Sequence, residues 1–247
     1  MKKEDAGFKG KMLRENRRLS LMVISLGGSL IVPEKVNFEF LKKFRSTLKK
    51  HYGNWRFVIV CGGGSIARRY ISLLAHNHNK SEKELSMAGI RVTRMNALIL
   101  MEIFGKKEAN DKLPMTMEEV KNSLHKNKVV ICGALRYSPK STSDGTAARL
   151  AHYLNAEFIN MTNVKGLYTG NPLTNKKARF IPYESWEKFD KRANKIAYHS
   201  GQHFVLDQKA ATMIRKNKTK TYIINGDVRN IDKILKGKKF TGTLICG

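Results

Sequence analysis

The chain reads as an α/β protein of three layers, with helices on both faces of a mostly parallel central sheet. Two features predict this. Short apolar runs of roughly four to six residues recur along the chain, separated by stretches of helical periodicity. A strand that is apolar at consecutive positions is one buried on both faces, as strands of a parallel sheet are. Most of these runs also end in glycine, the punctuation of a tight strand-to-helix turn.

Taken in order, residues 1–20 are polar, with seven basic and three acidic side chains, and read as a loose basic extension. The main domain, residues 21–247, opens with Leu21–Leu26, an apolar run that stops at Gly27-Gly28-Ser29. A helical stretch follows with Phe40, Leu41, Phe44 and Leu48 on one face. Phe57–Cys61 then runs into Gly62-Gly63-Gly64, and the next helix carries Ile66, Tyr70, Leu73 and Leu74 on one side. Ser81 with Glu84 is a capping box that opens another helix. Lys128–Cys132 ends at Gly133, Glu157–Met161 at Thr162-Asn163, and Thr221–Ile224 at Asn225-Gly226. Thr243–Cys246 is expected as an edge strand. A boundary near residues 155–157 divides the domain into two halves that share one sheet.

Composition narrows the class. Of 247 residues, 47 are Lys or Arg and 20 are Asp or Glu, a net charge of +27, and 41% are hydrophobic. That length and apolar content support a sizeable core and argue against wholesale disorder. No apolar run reaches the roughly 18 residues that cross a bilayer, and the charged N-terminus lacks an apolar secretion core, so no membrane contact is expected. Three cysteines, Cys61, Cys132 and Cys246, make neither a disulfide framework nor a CxxC site, which points to a reducing, cytoplasmic compartment. Residues 209–239 hold ten basic and two acidic side chains. Such a field favours RNA or another polyanion non-specifically. It reads equally as a solvated surface. Few aromatics accompany it, so any RNA contact would be to phosphate.

The strand-end glycines are the strongest functional clue. In an open α/β sheet ligands bind beyond the carboxyl ends of the strands, where glycine lets backbone N–H groups approach an anion and a helix N-terminus adds favourable potential. Several such turns in one chain suggest an extended polyanion site. Tight turns alone are the alternative. The familiar phosphate signatures fail: there is no GxxxxGK[ST], and Gly62-Gly63-Gly64-Ser65-Ile66-Ala67 lacks the acidic strand end that a dinucleotide site requires. GxSxG and HExxH are absent and the seven histidines show no ligand spacing, so no protein metal site is expected.

Five segments in order, Ile24–Ser29, Val58–Tyr70, Gly89–Ala97, Ser141–Ala148 and Met161–Pro172, resemble the amino acid kinase superfamily, and within it the archaeal-type uridylate kinases. The resemblance covers about residues 21–247. It implies an αβα sandwich, a homo-oligomer (a hexamer), and transfer of the ATP γ-phosphoryl group to UMP with Mg²⁺. Residues 21–155 would be the acceptor half and 156–247 the ATP half. Carried over by position, Gly27, Gly28 and Ser29 would line the moving phosphoryl group, and Asp144 would order the catalytic centre. Gly62, Gly63 and Arg68 would hold the UMP phosphate, with Thr93, Asn96 and Thr142 near UMP. Asn163, Lys165, Gly166, Tyr168, Asp207 and Lys209 would form the ATP site. Read from the residues alone, Asp144 could be a plain helix cap, Arg68 a solvated surface group and Tyr168 core packing.

The pattern breaks at Ser25 and Ser65, where lysine is usual, at Lys165, where an acid is usual, and at Asn171 and Thr212. Each change alters charge where about four negative charges meet. Lys140, Lys165 or Lys209 would then supply positive charge from new positions. Two other readings stay open: a kinase fold kept as a basic RNA-binding subunit, and a kinase for a different small acceptor.

Overall fold

The computed structural model describes residues 19–76, 79–139, 141–172, 174–195 and 206–247. Most of the expected basic extension, residues 1–18, lies outside them, as does Lys140.

Among the described residues the strands are β1 (Ser20–Leu26), β2 (Trp55–Cys61), β3 (Val129–Cys132), β4 (Glu157–Met161), β5 (Leu167–Tyr168), β6 (Phe180–Ile181), β7 (Tyr183–Glu184), β8 (Thr221–Ile224) and β9 (Thr243–Ile245). The helices are α1 (Gly28–Ile31), α2 (Phe38–Lys49), α3 (Gly64–Ala75), α4 (Glu82–Phe104), α5 (Met117–Leu124), α6 (Ser143–Tyr153), α7 (Trp186–Asn194), α8 (Gln208–Lys216) and α9 (Val228–Leu235). Seven strands form one sheet in the order β3-β2-β1-β4-β8-β9-β7, and β5 pairs with β6 as a separate hairpin. The five strands from β3 to β8 are mutually parallel, and β9 runs antiparallel to β8.

The apolar runs are buried on both faces because the pleat sends alternate side chains to two different helical layers. Met22, Ile24 and Leu26 join one core with Phe44 of α2, Phe104 of α4 and Ile231 of α9. Val23, Val58, Val60 and Phe158 join a second core with Ala147 and Leu150 of α6, Phe189 of α7 and Ile214 of α8. The same alternation turns Ser25 toward the α6 layer, which matters below.

Two details differ from the expectation. The last strand is not the edge: β9 lies between β8 and β7, and the two-residue β7 takes the edge position. A two-residue strand has no periodicity to read. The apolar side of α3 is covered only in part, with Ile66 packed against the first core. Tyr70 and Leu73 are 54% and 70% exposed, because α3 packs on α4, which itself covers β2 and β3. The capping box at Ser81 and Glu84 is present as read. Among the described residues no helix is long and apolar enough to cross a membrane.

Candidate active site

The parallel strands align their carboxyl ends, and the chain turns there in sequence-adjacent pieces that meet. Gly27 N–H donates to Met161 O at 3.0 Å, and Gly62 N–H to Leu26 O at 2.9 Å, so the turns after β1, β2 and β4 are tied rim to rim. The first two are pressed together. A Cβ on Gly28 would fall 2.7 Å from Gly62 O and closer still to the Gly64 nitrogen, so only hydrogen fits. Gly64 holds φ at +64°, which glycine adopts without cost. A cavity of about 540 Å³ opens above this junction.

Of the helices among the described residues, α1 and α3 alone have no side-chain cap; Asn37, Ser81, Thr116, Thr142, Ser185, Asp207 and Asp227 cap the others. Both uncapped N-termini follow the glycine turns, and Gly28, Ser29 and Gly64 line the cavity. An uncapped helix start leaves backbone donors without acceptors, and an anion satisfies them.

Most of the expected residues converge here. Gly27, Gly28, Ser29, Gly62, Gly63, Arg68 and Thr93 line one side. Thr142, Asp144, Asn163, Gly166 and Tyr168 line the other, along with the divergent Asn171. The Arg68 guanidinium makes no hydrogen bond or ion pair among the described residues, and burial lowers its pKa. A half-buried cation without a protein partner, on a cavity wall, is not a solvated surface group. Thr93 Oγ1 is already engaged, donating to Ile90 O at 2.7 Å and accepting from Ala134 N–H at 2.9 Å.

Asp144 is in the first turn of α6 and is not its cap; Thr142 is, accepting from the Asp144 N–H at 3.2 Å. Asp144 is half-buried on the cavity wall and its carboxyl accepts a 2.6 Å hydrogen bond from Ser25. Burial pushes its pKa up to about 7; the Ser25 hydroxyl pulls it down and nearby Asp207 pushes it further up.

Four expected site residues do not line the cavity. Asn96 is buried beneath it, donating to Gly62 O at 2.7 Å and holding the glycine turn from behind. Asp207, 2% exposed, caps α8 through the Ala210 N–H and accepts from both the N–H and the hydroxyl of Thr142, at 2.8 and 2.7 Å. It joins the starts of α6 and α8. Lys165 lays its Nζ 4.4 Å above the Phe180 ring, on the β5–β6 hairpin. Lys209 Nζ donates to Pro139 O. The substituted positions are equally committed: the Ser65 hydroxyl donates to Pro33 O, and the Thr212 hydroxyl to Asp190.

The sequence reading missed Arg136 and Tyr137 after β3, Arg149 on α6 and Arg192 on α7, all of which line the cavity. Arg192 is held by Glu184 at 2.7 Å. The one legible signal was Arg149, a charge set within the small apolar run Ala147–Ala151 of a helix that had to be buried.

Such a site belongs to the class of open α/β proteins that hold anions across the carboxyl ends of adjacent strands. Residues 20–225 match the sequence profile of the amino acid kinase family, and the chain belongs to that family. It is 33% identical over 225 residues to the uridylate kinase of Archaeoglobus fulgidus, covering 91% of this chain and 99% of that protein. The uridylate kinase of Thermoplasma volcanium is also 33% identical, over 91% and 96% of the two chains. The crystal structure of the Archaeoglobus fulgidus uridylate kinase matches with a TM-score of 0.78 over 91% and 99% of the two chains. A UMP kinase structure from Bacillus anthracis matches at TM-score 0.73 and 21% identity, over 93% and 97%, which shows the shared fold.

Proposed function

We propose that this chain is a uridylate kinase, moving the terminal phosphoryl group of ATP to UMP to give UDP and ADP. The observation that carries the reading is the pair of uncapped helix starts at Gly28 and Gly64, pressed against each other at one cavity. Phosphoryl transfer asks the protein for in-line placement and for stabilisation of spread negative charge, with little covalent chemistry. Backbone N–H groups of Gly28 and Ser29 would meet the moving group. Arg68, one turn into α3, would hold the acceptor phosphate with its planar fork. On this reading residues 21–155 serve the acceptor and 156–247 the donor.

The donor set suits Mg²⁺ arriving with ATP. Among the described residues no three His, Cys, Asp or Glu cluster as a protein metal site, while Asp144 presents one carboxyl on the cavity wall. Mg²⁺ characteristically takes one or two carboxylates plus substrate phosphates. Asp144 would hold it, and the ion would supply charge neutralisation on the phosphates.

The exposed Tyr70 and Leu73 of α3 and Met95 and Leu98 of α4 support a homo-oligomer. Light scattering of the wild type and of Leu73→Glu tests this: the wild type should exceed monomer mass and the variant should lose mass. The activity is tested by ADP release and by direct detection of UDP. Turnover should need both UMP and Mg²⁺ and stop on chelation. Absence of UDP across nucleotide donors and divalent ions would refute the reading, and turnover with another small phosphate acceptor alone would redirect it.

A further inference from the structure

The donor side of the cavity has a charge deficit that the expected lysines do not fill. Lys165 is stacked on Phe180 and Lys209 is bonded to a backbone carbonyl, and neither lines the cavity. The arginines that do are Arg68, Arg136, Arg149 and Arg192. Arg192 is neutralised by Glu184, and Arg68 and Arg136 sit after β2 and β3, on the acceptor side. Arg149 remains.

Its setting is unusual for an arginine. It is half-buried on α6, and its guanidinium reaches back along the helix to two hydroxyls, Ser141 Oγ at 3.3 Å and Thr146 Oγ1 at 3.2 Å. Both bonds are long and neutral, and no carboxylate lies within ion-pair distance among the described residues. Burial lowers its pKa, with buried Asp207 acting in the opposite direction. A partly desolvated cation is costly unless a counter-charge completes it. Arg149 falls in the acceptor half by chain order, but it also lines a second hollow with Lys209 and Thr212 of α8, so α6 places it at the border with the donor half.

We propose that Arg149 binds the polyphosphate of the phosphoryl donor, supplying from α6 the positive charge that neither Lys165 nor Lys209 brings to the cavity. The assignment rests on the kinase reading for the identity of the donor, and on geometry for the anion. A planar fork on a buried helix meets two phosphate oxygens at once. It also lies five residues beyond Asp144, so one helix would carry both the carboxyl and the cation that face the donor.

The test uses purified full-length wild type, Arg149→Leu and Arg149→Lys. Calorimetry measures binding of inorganic tripolyphosphate, ATP and UMP separately, and steady-state kinetics measures KM for each substrate. In Arg149→Leu, tripolyphosphate and ATP should bind at least about tenfold more weakly, with UMP affinity within about twofold, as expected for loss of a charge-assisted contact. Arg149→Lys should recover part of the loss, and KM should rise for ATP and not for UMP. Unchanged tripolyphosphate and ATP affinity in Arg149→Leu overturns the proposal, as does an equal loss for UMP. If the leucine variant does not fold by denaturant titration, the lysine variant decides: ATP weakened with UMP unchanged supports the assignment, and both unchanged overturns it. A wild type that binds tripolyphosphate through Arg149 but makes no UDP would refute the kinase reading and leave the anion site standing.

Discussion

The Ser25 hydroxyl donates a 2.6 Å hydrogen bond to Asp144, 119 residues later, tying the carboxyl end of β1 to the first turn of α6. Period-two alternation points Ser25 into the α6 layer. There it is fully buried and gives the Asp144 carboxyl a partner in an otherwise drying environment. The carboxyl is thereby fixed on the wall of the cavity that Gly27, Gly28 and Ser29 also line.

That burial makes Asp144 a site of opposed stability and activity. Its ordinary value is 3.8 and it stands at about 7 in the folded protein. The folded state therefore holds the proton more tightly than the unfolded chain does. The stability associated with the neutral carboxyl is full below about pH 4 and is lost as pH rises through about 7. Asp144→Asn should raise the melting temperature at pH 8 in magnesium-free buffer, with the gain fading toward pH 4, and should lose UDP formation. Equal melting of the two proteins across that range would contradict the desolvated carboxyl.

Gly28→Ala should be damaging out of proportion to one methyl group. The new Cβ would meet backbone of Gly62, Gly63 and Gly64 and not a yielding side chain. A cost of about 1–3 kcal/mol is expected, since overpacking against backbone has no rotamer escape. Denaturant titration reads the stability, and weakened UMP and ATP binding reads the spread junction.

Glu108 anchors α2 to the start of the β3 side. Its carboxylate accepts from Arg45 at 2.8 and 3.2 Å, from Tyr52 at 3.0 Å, and pairs with Lys49 at 3.1 Å. The Arg45 bonds hold its pKa down at about 2, against desolvation. Glu108→Gln should cost about 1–3 kcal/mol, because it strips a buried acceptor from several donors at once. In the wild type this contribution is present above pH 4.5 and is lost as pH falls through about 2. Thermal melts of both proteins between pH 7 and pH 2 should therefore converge at the acid end.

Lys165→Ala separates a surface stack from a substrate contact. The ammonium sits over Phe180, so its loss should cost about 0.5–1 kcal/mol and leave KM for ATP within about twofold. A large rise in KM would mean that this side chain leaves the ring when the donor binds.

How much was legible follows from the range of each signal. The Leu21–Leu26, Phe57–Cys61 and Glu157–Met161 runs announced strands because burial on both faces writes itself into consecutive residues. The glycine turns announced the cavity because backbone contact leaves room for hydrogen only. The β5–β6 hairpin and β7 escaped because two-residue strands carry no period. Asn96 lay within a motif segment and Asp207 was assigned to the ATP site by the resemblance alone, yet both turned out to brace the residues around the cavity, through Gly62 O and Thr142.

Taken alone, the amino-acid order determined the layered α/β class, the strand-end glycines and the helix that carries Asp144. All of these rest on patterns confined to a few neighbouring residues. Only the tertiary structure decided which cations look into the cavity. Lysine and arginine side chains are long and rotatable, and their direction is chosen by a distant ring, carbonyl or carboxylate: Phe180 for Lys165, Pro139 for Lys209, Glu184 for Arg192. Among the described residues Arg149 meets two hydroxyls, Ser141 and Thr146, and no ring, carbonyl or carboxylate turns it aside from the cavity wall.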